Sequence, residues 1–433
     1  MVNLIRRVTI ALVGLVAMSS VFAPATAEAD INIWEEETEE GEEPTRFVAF
    51  TAFTQPGIVF RQADEYAGRS DNSFVVQRAR LGFNAQPLWW LRLRTEVELA
   101  PTPLLADAFV DFTAHQWANV RIGQFLIPFL LAYSFNELNL GFIDRPTYTP
   151  LGGFRPFLRY LSPRDLGGML HGRIGDLSPS SMMPVFEYQA GVFLGRGANQ
   201  TGNNDDAYLY AARLRLHVLG YPEGADQESD IARNTLLRVA VGGSVYSNCD
   251  DRAVWNRGFN VDLEARWQGL YVSGAFTWFR NSRATEGQFG YDFCGLTELE
   301  EMGDSPPPLF HSTGAHFQAQ YVLPDMLLPK KHELEVLARF DYVNPNSPAD
   351  GTLLGGGPST PGYVPPAGFL DSDNAPTRYR LTFGLNWFPT GEQSLRVQFN
   401  YQINREMETH FSGDEEIGGV RNELWWLQIT AGI

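Results

Sequence analysis

Arginine is the residue through which this sequence could do chemistry. It recurs two positions apart, at Arg78 and Arg80, Arg92 and Arg94, Arg213 and Arg215, and Arg378 and Arg380. Residues two apart in a strand share a face, so each pair would present two guanidinium groups side by side. A guanidinium binds carboxylate or phosphate in bidentate fashion, and on the wall of a narrow watery passage it lowers the barrier to anions. A further set, Arg145, Arg155, Arg159 and Arg164, falls in one long aperiodic stretch with Glu137, Asp144 and Asp165. That stretch balances at four minus three, +1, in a chain of net charge −18. The competing reading is internal pairing. Glu96, Glu98, Asp107, Asp111, Asp262, Glu264, Glu333 and Glu335 alternate onto the same faces, and in register Arg78 would neighbour Glu96 or Glu98, and Arg94 would approach Asp111. For the strand arginines both readings stay open. The four in the aperiodic stretch have fewer partners and are the better site candidates.

Other chemistries have little support. The seven histidines are scattered, no Gly-x-Ser-x-Gly element accompanies them, and only His311 and His316 are near enough to suggest metal ligands. These two read as loop and lumen residues. The expectation is no catalytic site, no metal and no cofactor. The acidic balance excludes nucleic acid as a natural partner.

The elements that would position the arginines alternate with period two. Val75, Ala79, Leu81, Phe83 and Ala85 oppose Arg78, Arg80, Asn84 and Gln86. Leu91, Leu93, Val97 and Leu99 oppose Arg92, Arg94, Glu96 and Glu98, and Tyr208, Tyr210, Ala212, Leu214 and Leu216 oppose Arg213, Arg215 and His217. A face this charged is no packed core, and a face this apolar would not sit in water. Lipid outside and water inside satisfy both. The segments predict an all-β fold, a transmembrane antiparallel up-and-down β-barrel of about 16 strands. Connections numbered from the N-terminus tend to be long when odd (62–72, 128–165, 281–312, 344–377) and short when even (87–88, 115–118, 268–269), with 101–103 and 219–234 as exceptions. Long extracellular loops and short periplasmic turns follow that rule, and Trp89, Trp90, Trp117, Trp267 and Trp387 at short connections fit an interfacial girdle.

The ends agree with export. Arg6 and Arg7, an apolar run from Val8 to Val16 and Ala25-Thr26-Ala27 read as a signal peptide over 1–27. Residues 28–45 hold nine carboxylates without a base, which reads as a solvated acidic periplasmic tail; 46–433 would be the barrel. The two cysteines, Cys249 and Cys294, lie in neighbouring long connections, and in an exported chain they suggest a disulfide.

Four motifs carry a resemblance: QRARLGF (77–83), RIGQFLIPF (121–129) leading to FIDR (142–145), SPRDLGGMLHG (162–172) and YQAGVFLGRG (188–197). In this order they are similar to the phosphate-selective porin O/P family of outer-membrane porins. The resemblance implies a 16-stranded homotrimer in the outer membrane of a Gram-negative bacterium, surrounded by its lipid, with the third long loop folded into the lumen and arginines along an anion path. By position, Arg78 and Arg80 would sit in that path and Arg145 in the loop. Some members gather phosphate with lysine clusters, whereas this chain has only Lys330 and Lys331. The function expected is passive diffusion of small hydrophilic solutes, with anions such as phosphate favoured. The alternatives are a general or weakly cation-preferring porin, and a non-conducting scaffold barrel. The long stretch from Pro128 to Asp165 is unusually apolar for an exposed loop (Phe129, Leu130, Leu131, Tyr133, Phe135), so it is expected to pack inside and set selectivity.

Overall fold

The computed structural model describes residues 31–35, 46–62, 71–101, 103–149, 163–203, 207–249, 255–282, 309–324, 332–347, 377–406, 410–412, 415–417 and 421–432. The expected signal peptide, Arg155, Arg159 and Cys294 lie outside them, as does the side chain of Cys249, so the disulfide does too.

Sixteen strands form the barrel: β1 (Phe47–Arg61), β2 (Asp71–Leu88), β3 (Leu91–Ala100), β4 (Leu104–His115), β5 (Ala118–Leu126), β6 (Arg164–Ile174), β7 (Val185–Phe193), β8 (Leu209–His217), β9 (Arg238–Cys249), β10 (Trp255–Trp267), β11 (Leu270–Ser282), β12 (Leu309–Val322), β13 (Glu333–Ser347), β14 (Arg378–Phe388), β15 (Leu395–Glu406) and β16 (Arg421–Gly432). Each pairs antiparallel with its neighbours in sequence, and β16 closes on β1 from Leu424↔Arg61 to Gly432↔Phe53. Closure removes the exposed edges that an open sheet would carry.

The two faces of the wall invert the order of a water-soluble protein. Arg213 is 4% exposed and its neighbour Leu214 53%; Gln318 is fully buried and Phe317 57% exposed. Polar side chains point inward and apolar ones outward around the barrel, as lipid on the outside requires. No described helix is long and apolar enough to cross a membrane, and strands do the crossing here.

The sequence expected a solvated tail before the barrel. Ile31–Glu35 instead forms a short strand, antiparallel to Phe47–Phe50. β16 ends opposite Phe53, so the first residues of β1 have no partner there, and the tail strand occupies that edge.

Local irregularities aim the inward side chains. Between Glu96↔Asp107 and Val97↔Leu105 the ladder of β3 and β4 skips Ala106. Gln124 donates to the carbonyls of Leu105 (2.5 Å) and Ala106 (3.2 Å), satisfying groups that the bulge takes out of the ladder. Gly123 beside it has φ 134°, and a Cβ there would lie 2.2 Å from the carbonyl oxygen of Ala108. The motif RIGQF therefore has a local cause: glycine lets β5 approach the bulge and glutamine repairs it.

Candidate functional site

The connection between β5 and β6 is largely buried over its described part, with Ser134 exposed. Phe129, Leu130, Phe135, Phe142 and Tyr148 are at most 1% exposed. Phe129 packs against Tyr246 and Phe279 of β9 and β11 with ring centroids 5.3 and 6.4 Å apart, and Tyr148 lies against His316 of β12, hydroxyl to Nδ1 2.8 Å. A Cβ on Gly314 would come within 2.5 Å of Tyr148, so glycine makes room for that ring.

The backbone of the connection is held by inward side chains from distant strands. The carbonyl of Gly141 accepts from Asn386 Nδ2 (2.8 Å) and Gln398 Nε2 (3.0 Å), and Arg339 donates to the carbonyl of Asp144 (2.7 Å). At its centre Glu137, 1% exposed, meets Arg80 Nη1 at 2.7 Å and Arg145 Nη2 at 3.2 Å. Burial alone would raise the Glu137 carboxyl, but Arg80 and Arg145 more than offset it and hold it well below the ordinary carboxylate range.

On the other side of this connection lies a cavity of about 400 Å³. Its outer wall is β3 to β8. Arg92 and Arg94, Arg121, Arg164 and Arg173, and Arg213 and Arg215 contribute guanidinium groups, and Glu96, Asp107 and Glu187 contribute carboxylates; the inner wall runs from Ile127 to Asn139. Cation and anion are interleaved. Arg94 reaches Glu96 (2.9 Å), Arg121 reaches Asp111 (2.5 Å), Arg164 reaches Asp107 (2.8 Å) and Arg173 reaches Glu187 (2.5 Å). Arg213 grips both oxygens of Asp262 at 2.8 Å, and Arg215 bonds Glu264. Arg121 also lies over the Phe109 ring, 4.1 Å from its centroid. Arg173 is 49% exposed, and Arg121 and Arg94 are 25% and 24% exposed.

The structure separates the residues that the sequence grouped. Arg164, Arg213 and Arg215 line the cavity. Arg78, Arg80, Arg145, Arg378 and Arg380 are not on that lining. Arg78 donates to Gln55 (3.4 Å), Arg145 to Glu137 and the carbonyl of Phe135, and Arg380 to Asn404 (2.6 Å). The partners differ from those expected from simple register. Arg80, not Arg78, pairs with Glu98 (2.6 Å), because β2 runs on to Leu88 and the hairpin turns at 89–90 instead of the expected 87–88, which moves the register. Asp111 is held by Arg121 and His171, so Arg94 turns to Glu96 and Asp107. Arg121 and Arg173 were missed by the sequence reading. Neither belongs to an Arg-x-Arg pair, although alternation with Asn119 and His171 puts both on inward faces.

No family model matches this chain, and no curated relative does. Solved structures do. Pseudomonas putida OprB, in its high-pH structure, superposes with a TM-score of 0.53 at 12% identity over 89% of this chain and 94% of its own. The anion-selective porin from Comamonas acidovorans gives 0.51 at 12% identity over 89% and 99%, and Salmonella typhi OmpF in complex with daunomycin gives 0.50 at 11% over 90% and 98%. At such identities the likeness is one of fold, and it agrees with the inverted barrel wall: the chain folds as a porin-type barrel of the outer membrane.

Proposed function

We propose that this protein is a porin through which small hydrophilic solutes diffuse passively, with anions favoured. The observation that carries the reading is the interleaved cavity between β3–β8 and the connection 127–149. We read that connection as folded into the lumen, narrowing the water path to one side of the barrel. Seven arginines line the cavity against Glu96, Asp107, Glu137, Glu187 and Asp226, a balance of seven minus five, +2. In a passage with low-dielectric walls even a small excess of one sign focuses field at the narrowest point. Because most of these guanidinium groups already hold a carboxylate, the preference is moderate and the passage does not trap its solute. Arg155 and Arg159 of the same connection would add to it.

The likeness of the four sequence motifs to phosphate-selective porins O/P supports phosphate as one of the anions and a homotrimer as the assembly. The reversal potential of the purified protein in a planar bilayer under a potassium chloride gradient tests the core of the proposal. A potential of the sign set by chloride is expected, and one set by potassium would overturn the anion preference.

A further inference from the structure

The connection between β8 and β9, 218–237, is the longest at its end of the barrel, where 89–90, 116–117 and 268–269 need two residues each and 175–184 needs ten. Its length alone would suggest an exposed loop, yet Glu228, Ser229 and Asp230 are 4%, 1% and 1% exposed. Arg266 of β10 donates to three of its carbonyls, those of Gly224 (2.7 Å), Gln227 (2.5 Å) and Ser229 (2.8 Å), while Glu264 holds the other edge of the guanidinium (2.8 Å). Ser229 donates to Glu335 (2.5 Å), and Asp230 accepts from the amide of Gly269 (2.7 Å). The inner end of the segment meets the β5–β6 connection. The Glu228 amide donates to the carbonyl of Asn139 (2.8 Å), the Gly141 amide to the Glu228 carboxylate (3.0 Å), and Asn139 Nδ2 to Asp226 (3.2 Å). Beyond the contact, Gln318 of β12 donates to the other Glu228 oxygen (2.8 Å). Two connections from opposite ends of the barrel therefore join through backbone bonds.

We infer that 218–237 is a second inward-folded connection, which with 127–149 forms a septum closing the β9–β16 side of the lumen to solute. The septum confines flow to the arginine-lined side and makes Tyr221, Ala225 and Asp226, which border the cavity, specificity-determining groups. Asp226 is exposed toward the cavity while Glu228, two residues on, is sealed within the septum. This inference rests on the diffusion reading above, and its tests separate the two.

Three measurements decide it. In Arg266→Gln the clamp is lost, and single-channel conductance should rise about two-fold as a second lumen of similar width opens to water; unchanged or lower conductance overturns the septum. In a Cys249→Ser, Cys294→Ser background, Ser229→Cys should react with a polyethylene-glycol maleimide roughly 100-fold more slowly in the folded barrel than after heat denaturation, because local opening must precede attack. Equal rates overturn the septum, and this readout needs no conduction. A protected cysteine in a barrel that carries no current supports the septum and removes the diffusion reading. Finally, Asp226→Asn should raise the chloride-to-potassium permeability ratio while Glu228→Gln leaves it within error. The reverse order would show that Asp226 does not border the path.

Discussion

The two halves of the barrel's inner wall are made of different chemistry. From β3 to β8 the inward positions are arginines and carboxylates, and they border the cavity. From β11 to β16 they are largely amides and hydroxyls: Thr277, Ser312, Thr313, Gln318, Gln320, Thr382, Asn386, Gln398, Asn400, Gln402, Gln428 and Thr430, all at most 2% exposed. The difference teaches where water stays. A neutral amide can be taken out of water cheaply if it finds a partner, and a peptide carbonyl or amide of the folded-in connection is such a partner. An ion taken out of water costs several kcal/mol unless a counterion and further bonds meet it. The wall against which the connection's backbone docks is accordingly mostly neutral, and the wall that borders the cavity is charged. Charged groups on the docked side are held individually: Arg80, Arg266 and Arg339 each meet a carboxylate, and Arg396 donates to Gln393 and to the carbonyl of Glu137.

The largest effect should come from breaking the docked half at its ionic centre. Glu137→Gln leaves the buried Arg145 without its carboxylate, while Arg80 keeps Glu98, with an expected loss of about 3–5 kcal/mol. The change from compact to unfolded migration on gels, followed against temperature, should move several degrees lower; a midpoint equal to wild type would show that the amide wall alone seats the connection. Next, in the open half, Arg121→Gln with Arg173→Gln should lower the chloride-to-potassium permeability ratio several-fold, and Arg378→Gln with Arg380→Gln should lower it less, since that pair does not line the cavity. Equal changes would erase the distinction between the halves. Smaller again is the loss of one neutral bond. Asn386→Ala or Gln398→Ala removes a donor to the Gly141 carbonyl and should cost about 1 kcal/mol in melting, with selectivity unchanged.

The smallest effect is that of acid. Glu137 has its folded pKa depressed, so its contribution is present above the ordinary carboxylate range and lost only as pH falls through the depressed value. Glu228 has its pKa raised by burial, so its ionised form weakens the fold and protonation relieves it. Acidification from pH 7 to about pH 5, still above an ordinary glutamate pKa, should therefore neither release the β5–β6 connection nor loosen the segment 218–237. Conductance that climbs over that interval would contradict both assignments.

The strands were legible in the sequence because period two is imposed on both sides at once, by lipid and by the lumen. All sixteen appear where alternation puts them. The sites were legible only by face. Alternation assigned Arg80 and Arg94 to the inside, but the place of a turn (89–90) and a bulge (between Glu96 and Val97) decide which residue stands opposite, so the partners differ from those expected. Arg-x-Arg pairing drew the eye to Arg378 and Arg380 and away from the single Arg121 and Arg173. The inward course of 218–237 left little trace, since EGADQESD reads as solvated chain, and its length, greater than that of 175–184 and 268–269 on either side, was the sign. The alternating amides of VQFNYQIN (397–404) were the other sign: a wall of neutral donors marks where backbone will dock.

The bonds that seat Gly141 reach across 245 and 257 residues of sequence, to Asn386 and Gln398. A connection made between the fifth and sixth strands thus has its resting place on the fourteenth and fifteenth. Until those strands pair, the Gly141 carbonyl lacks both of these donors, although Phe129 already has Tyr246 and Phe279 to pack against. On the reading proposed above, the pairing of two late strands therefore seats the connection that narrows the passage, a contact of very long sequence separation.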